Sequence, residues 1–82
     1  ERTVLGQNVR VDKWSQVTDS VLMEGVRVGR DAVVRRAILD KHVIVPDGVQ
    51  IGVDREQDLA RGFHISANGI VVIGKDAEVP QH

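Results

Sequence analysis

The feature of this sequence that most constrains its fold is a 17-residue repeat that occurs three times, over residues 5–21, 22–38 and 39–55. Each copy divides into two units of six residues and one of five, and all nine units begin with an aliphatic residue: Leu5, Val11, Val17, Leu22, Val28, Val34, Leu39, Val45 and Ile51. Val, Ile and Leu make up 26 of the 82 residues, so an arbitrary register would place one at about one start in three. The repeat therefore reflects a structural period.

Two further positions of each unit predict the geometry of this period. The fifth position holds small or branched, mostly apolar residues: Val9, Ser15, Val21, Val26, Ala32, Ile38, Val43 and Val49. The fourth position is rich in residue types that tolerate positive φ: Asn8, Trp14, Ser20, Gly25, Asp31, Ala37, His42, Gly48 and Asp54. We therefore predict short strands that turn a corner at the fourth position and return to the core at the fifth, which indicates a parallel β-helix with triangular coils.

The predicted fold is all-β, and it resembles the left-handed parallel β-helix of hexapeptide-repeat proteins, with about three 17-residue coils. The resemblance implies the handedness, which spacing alone does not set. Asp54 is a helix-capping residue followed three positions later by Gln57, and Asn68-Gly69 is a strong hairpin signal. The predicted organisation is β-helix coils over 1–53, a short helical cap over 54–62, hairpin strands over 63–75 and a flexible tail over 76–82.

Composition excludes several classes of protein. The chain has no Cys, hence no disulfide framework or thiolate metal site. Its 11 Lys and Arg nearly balance 12 Asp and Glu, which argues against nucleic-acid or membrane binding. No run approaches the roughly 20 apolar residues of a membrane span, and no signal peptide is recognisable, so we expect a cytoplasmic location. Val4 directly precedes the first copy of the repeat, as Val21 and Ile38 precede the next two, so the pattern is already under way before residue 5. We therefore expect further coils or another domain in a longer protein.

Residue types that carry catalysis form no recognisable constellation. The acidic residues make no close pair for general acid–base chemistry, His64 and His82 have no partner at metal-ligand spacing, and the G-x-G-x-x-G phosphate loop is absent. His42 is the only His within the repeat, and hexapeptide-repeat acyltransferases use a His that projects from a coil. Its repeat equivalents are Asn8 and Gly25, so a corner residue with positive φ is the other interpretation. We expect no catalytic, metal or cofactor site in this chain.

Basic residues concentrate in the middle of the chain. Residues 27–41 include Arg27, Arg30, Arg35, Arg36 and Lys41 against Asp31 and Asp40. They occupy outward positions that Lys75 approaches from the hairpin, which suits a phosphorylated ligand; a solvated outer face is the alternative interpretation. Trp14, at a corner, is either an interface residue or a half-covered surface residue.

The order of these elements resembles one family. The run VLMEGVRVGRDAVVRRAILDKHVIVPDGVQIG at 21–52, a short charged helical segment, Gly62-Phe63 and GIVV at 69–72 are similar to the C-terminal domain of bacterial glucose-1-phosphate adenylyltransferase. The similarity extends from about Thr3 to Lys75. Hexapeptide repeats alone are generic, whereas VGRDAVVRRAILDK at 28–41 and VPDGVQIG at 45–52 are more specific.

The resemblance implies a regulatory and oligomerisation role. The family's enzyme makes ADP-glucose and pyrophosphate from ATP and glucose 1-phosphate in glycogen biosynthesis, and an N-terminal catalytic domain, missing from this chain, holds ATP and Mg²⁺. The β-helix domain packs on the catalytic domain, supports a homotetramer and contributes to the site for phosphorylated sugar or nucleotide effectors. By position the effector contacts are Lys41 and Lys75, with Arg30 and Arg36 as weaker candidates. This segment alone is expected to be inactive, and a fragment of an acyltransferase that uses His42 is the alternative.

Overall fold

The computed structural model describes residues 3–77 and residue 79. This part of the chain forms eleven short strands and one helix: β1 (Val4–Leu5), β2 (Arg10–Val11), β3 (Gln16–Thr18), β4 (Val21–Leu22), β5 (Arg27–Val28), β6 (Val33–Arg35), β7 (Ala37–Leu39), β8 (Ile44–Val45), β9 (Gln50–Ile51), α1 (Arg55–Ala60), β10 (His64–Ile65) and β11 (Val71–Ile73). No helix within the described residues is long and apolar enough to span a bilayer.

The strands stack into three sheets, one for each side of a triangular coil. Their orders are β2-β5-β8, β3-β6-β9 and β1-β4-β7-β11-β10, and every pairing is parallel except that of β10 with β11. Leu5 pairs with Leu22 and Leu22 with Leu39, so these residues lie above one another. The structure therefore confirms the predicted parallel β-helix with a 17-residue coil.

The core is formed mainly by inward residues of the second and third coils, at the first and fifth positions of their units, together with residues of β11. Leu22, Leu39 and Ile51 are fully buried, and Leu22 and Leu39 each lie between paired residues of the coils above and below. The first coil is open beneath, and Leu5 is accordingly 53% exposed. The stack therefore buries its central coils best, as expected of a repeat protein in which each repeat contacts only its neighbours.

The corners of the six-residue sides lie where the sequence predicts them. The six fourth-position residues of these sides all have positive φ: Asn8, Trp14, Gly25, Asp31, His42 and Gly48. We call the column of Asn8, Gly25 and His42 the first corner, and that of Trp14, Asp31 and Gly48 the second corner. The fifth-position Val26 and Val43 return to the core and are fully buried.

The five-residue side departs from the prediction. Its left-handed residues are Asp19 (φ 50°) and Arg36 (φ 49°), which form the third corner. Ser20 and Ala37, predicted at the corner, are instead buried, and the predicted inward residues Val21 and Ile38 are only half-buried. The corner and the inward residue both come one position earlier because this side is one residue shorter.

The chain leaves the coil after β9 and returns to it at β11. Gly52 turns it outward with φ +79°, and a Cβ there would collide with the Arg35 carbonyl. Helix α1 follows, within the predicted 54–62, and the Asp54 side chain caps it by accepting from the Glu56 and Gln57 amides at 3.0 and 3.3 Å. We call residues 52–70 the excursion, since β11 pairs with β7 and rejoins the coil.

Strand β11 begins a fourth coil, which the sequence analysis did not predict. Ile73 pairs with Leu39, and Asp76 (φ 59°) extends the first corner. The Asp76 amide donates to the Lys41 carbonyl at 2.9 Å, just as the His42 amide donates to that of Glu24 at 3.0 Å. Val79 is buried. The flexible tail predicted over 76–82 stays a prediction, since its residues 78 and 80–82 lie outside the described residues.

Candidate functional site

Two of the predicted effector-binding residues lie together on the first corner. Lys41 and Lys75 each precede the left-handed residue of their coil, His42 and Asp76 respectively, and both are exposed. The Asp76–Lys41 backbone hydrogen bond joins their coils directly, which places the two lysine backbones about 4.8 Å apart, the spacing of neighbouring strands. Among the described residues no carboxylate pairs with either ammonium group. We call this pair the lysine corner.

A histidine and an aspartate join the same two coils beside the lysine corner. His42 Nδ1 lies 3.2 Å from Asp76 Oδ1, and the imidazole ring lies over Gly25, where a Cβ would stand 2.5 Å from His42 Cδ2. His42 has φ 63°, the conformation that the corner requires. Its position is therefore accounted for by the turn, while catalysis by His42 stays an untested alternative.

Arg30 lies on a different corner from the lysines. It precedes Asp31 at the second corner; its amide donates to Asp47 Oδ1 at 2.9 Å and its carbonyl accepts from the Gly48 amide at 2.8 Å. These contacts tie the second coil to the third, and the side chain of Arg30 is exposed.

Arg36 lies on the third corner and holds the excursion. Its Nη2 donates to the Asn68 carbonyl at 2.7 Å, and its own carbonyl accepts from the Val71 amide at 3.0 Å. The guanidinium thus fixes the hairpin turn just before β11 docks on β7. The four predicted residues therefore do not converge: Lys41 and Lys75 share one corner, whereas Arg30 and Arg36 occupy the other two.

Asp58 is a buried carboxylate that the sequence analysis did not single out. It is 1% exposed, Oδ2 accepts from the Gly52 amide at 3.0 Å, and Oδ1 has no hydrogen-bond partner among the described residues. Burial raises the pKa of Asp58; the Gly52 hydrogen bond and the charge of Arg61 act against this rise, and the charge of Asp54 adds to it. No sequence pattern indicates this burial, because the apolar neighbour Leu59 is exposed while the acidic Asp58 is buried. Asp58 closes the base of the excursion.

The described residues contain no group of three or more His, Asp or Glu side chains that could hold a metal ion. The chemistry available at the lysine corner is therefore electrostatic. Two neighbouring ammonium groups can bind the oxygens of a phosphate as point charges.

Stacked triangular coils with six-residue sides and polar outer corners define a protein of the hexapeptide-repeat class. Comparison with known families agrees, because residues 1–73 match the family described as "GlmU-like, C-terminal hexapeptide". The chain belongs to this family, and its fold is a left-handed parallel β-helix.

Several curated proteins are similar to almost the whole chain. The glucose-1-phosphate adenylyltransferase of Cutibacterium acnes is 53% identical over 79 residues, covering 96% of this chain and 19% of that protein. The proteins of the same name from Frankia casuarinae and an Arthrobacter species are 53% and 51% identical and cover 94% and 99% of the chain, or 19% and 17% of their own lengths. The chain thus spans less than a fifth of these relatives and matches their C-terminal part.

Proposed function

We propose that this chain is the regulatory and oligomerisation domain of a glucose-1-phosphate adenylyltransferase. The complete enzyme would make ADP-glucose and pyrophosphate from ATP and glucose 1-phosphate, as the regulated step of glycogen biosynthesis in the cytoplasm. The relatives' shared name supports the reaction, and their length supports a separate N-terminal domain that binds ATP and Mg²⁺. The lysine corner is the single structural observation that supports the regulatory role.

The geometry of the lysine corner favours a phosphorylated effector. Lys41 and Lys75 stand on adjacent coils that are hydrogen-bonded to each other, so one phosphate can contact both ammonium groups. Exposed ion pairs contribute only about 0.2–1 kcal/mol each. Two lysines alone would therefore hold an effector weakly, and we infer that the catalytic domain or a neighbouring protomer supplies the remaining donors. The isolated chain is accordingly expected to lack both catalysis and tight effector binding.

Exposed apolar side chains on the first coil support packing against another domain or protomer. Val4 and Leu5 are 62% and 53% exposed, and Trp14 is 79% exposed at the second corner. Exposed apolar patches on otherwise polar surfaces are typical of interfaces. We propose that this end of the β-helix packs on the catalytic domain, and that the complete protein is a homotetramer that binds neither nucleic acid nor membranes.

Substitution of the two lysines in the complete gene product tests the proposal. The rate of ADP-glucose formation is measured against a series of sugar phosphates and AMP for Lys41→Ala, Lys75→Ala and Lys13→Ala, the last an exposed lysine of the second corner. Losing one contact should raise the half-maximal effector concentration by roughly 1.4–5-fold, whereas Lys13→Ala should match the wild type. An equal shift for Lys13→Ala would place the effector elsewhere.

The alternative, a fragment of an acyltransferase that uses His42, makes a different prediction. It requires acyl transfer to a sugar or amine acceptor by the complete protein, and loss of that activity in His42→Ala. ADP-glucose synthesis that survives this substitution would support the adenylyltransferase.

A further inference from the structure

A hollow of about 320 Å³ opens on the side formed by β2, β5 and β8. Arg10, Arg27 and Ile44 project outward there from successive coils, in register with one another. Gly29 and Pro46 follow on the same coils as Arg27 and Ile44 and also line the hollow. We call it the Arg27 hollow; it lies on a side of the coil and is separate from the lysine corner.

The two arginines of the hollow differ in their partners. Arg10 Nε contacts Asp12 Oδ1 at 3.2 Å, which occupies one of its five N–H donors. The guanidinium of Arg27 has no hydrogen-bond or ion-pair partner among the described residues. Like charges directly opposite on neighbouring strands are unfavourable. An oxyanion between the two guanidinium groups would remove this repulsion and satisfy the free donors of Arg27.

The rest of the hollow restricts what such an anion can be. Ile44 is 52% exposed above Arg27 and, with Pro46, gives the hollow an apolar wall. Asp12 and Asp47 flank it, and Asp47 is held in place because its Oδ1 accepts from the Arg30 amide. The two carboxylates disfavour ligands with a second anionic group, whereas the apolar wall favours a ligand with a hydrocarbon or aromatic body.

We propose that the Arg27 hollow binds a small organic anion that carries one phosphate monoester or carboxylate group. The oxyanion takes two parallel hydrogen bonds from the Arg27 guanidinium, Arg10 supplies a further donor, and the body of the ligand rests on Ile44 and Pro46. This site is additional to the effector site of the proposed function and does not depend on it.

Arginine-specific footprinting of the complete gene product tests this proposal residue by residue. The protein is treated with phenylglyoxal in the presence of phenyl phosphate, inorganic phosphate or sodium chloride at equal ionic strength, and modification of each arginine is measured by peptide mass spectrometry. Only free sites react, so phenyl phosphate at ten times its Kd should slow modification of Arg27 about tenfold. Arg10 should also be protected, whereas Arg30, exposed on the next corner, should react at the chloride rate.

Two comparisons make the result specific. Phenyl phosphate should protect at a lower concentration than inorganic phosphate, and Ile44→Ser should remove that difference. Protection should persist in a Lys41→Ala and Lys75→Ala double variant, because the lysine corner is a different site, and Arg27→Gln should abolish protection of Arg10. Equal protection of Arg27 and Arg30, or none at Arg27, would overturn the proposal.

Discussion

The contact between His42 and Gly25 yields a prediction that separates a backbone cost from a steric one. Gly25 and Gly48 have nearly identical left-handed conformations, with φ of 74° and 75°, at equivalent corner positions. A Cβ on Gly25 would lie 2.5 Å from His42 Cδ2, whereas a Cβ on Gly48 would have no heavy atom within 4 Å. Gly25→Ala therefore incurs both the cost of the left-handed backbone conformation and a clash with the imidazole ring. Gly48→Ala incurs only the backbone cost.

The expected magnitudes follow from these two terms. An L-residue in the left-handed region costs about 1–2 kcal/mol, and both substitutions carry this cost together with the same gain from a less flexible unfolded chain. Gly25→Ala also displaces His42, at roughly 0.5–1.5 kcal/mol if the ring leaves its rotamer. Losing the exposed His42–Asp76 contact adds about 0.2–1 kcal/mol. We expect Gly25→Ala to lower the free energy of unfolding by about 1–2 kcal/mol more than Gly48→Ala.

Urea denaturation followed by far-UV circular dichroism measures both variants, alone and combined with His42→Ala. Without the imidazole the new methyl group has room, so the two glycine substitutions should then cost the same. The double-mutant comparison isolates the ring contact because costs common to both backgrounds cancel. Equal destabilisation in the wild-type background, or an excess at Gly25 that survives His42→Ala, would refute the reasoning.

Three further predictions concern the core and the excursion. Leu39→Ala should lower the free energy of unfolding by about 2–5 kcal/mol in urea titrations, whereas Leu59→Ala, at a site 53% exposed, should change it by at most about 0.5 kcal/mol; similar costs would contradict the assigned core. The pKa of Asp58 is raised above its ordinary value of 3.8, so between these two pKa values the folded state binds more protons than the unfolded state. The free energy of unfolding should therefore fall as pH rises from near 3.8 through the folded-state pKa. Asp58→Asn should lack this component in unfolding measured against pH, and a wild-type advantage that grows with pH would contradict it. Arg36→Ala should speed amide hydrogen exchange in β11, while unchanged exchange would show that the Asn68 contact does not hold the hairpin.

The sequence predicts the six-residue sides well because each carries two independent signals. An aliphatic first residue and a fourth residue tolerant of positive φ place both strand and corner, as Gly25 and His42 show. The five-residue side has the same first residue but an earlier corner, and its left-handed residues include Arg36, a type without a preference for that conformation. The prediction assumed a corner at the fourth position, as on the longer sides, and therefore placed this corner one residue too late.

Lys41 and Lys75 lie on one corner, but the sequence pattern did not indicate why they meet, and effector binding by them stays a prediction. Lys75 reaches Lys41 because the excursion returns as β11, and parallel pairing between distant segments is not visible in local propensity. One signal was present: IGKDAEVP at 73–80 repeats the frame of LDKHVIVP at 39–46. Arg30 and Arg36 lie at other corners than the lysines because outward positions of a triangular coil face three different directions, and effector binding by them stays a prediction.

The return of the chain onto the coil means that strand register, and not distance along the sequence, sets the gap between Lys41 and Lys75. The excursion could gain or lose residues near Asn68 without altering that gap, because β11 would still pair with β7 in the same register. A shift of one residue within β11 would have the opposite effect, since it would exchange inward and outward side chains and turn Lys75 away from its neighbour. Insertions and deletions should therefore be tolerated at the hairpin tip near Asn68 and should be damaging within β11, which begins three residues later.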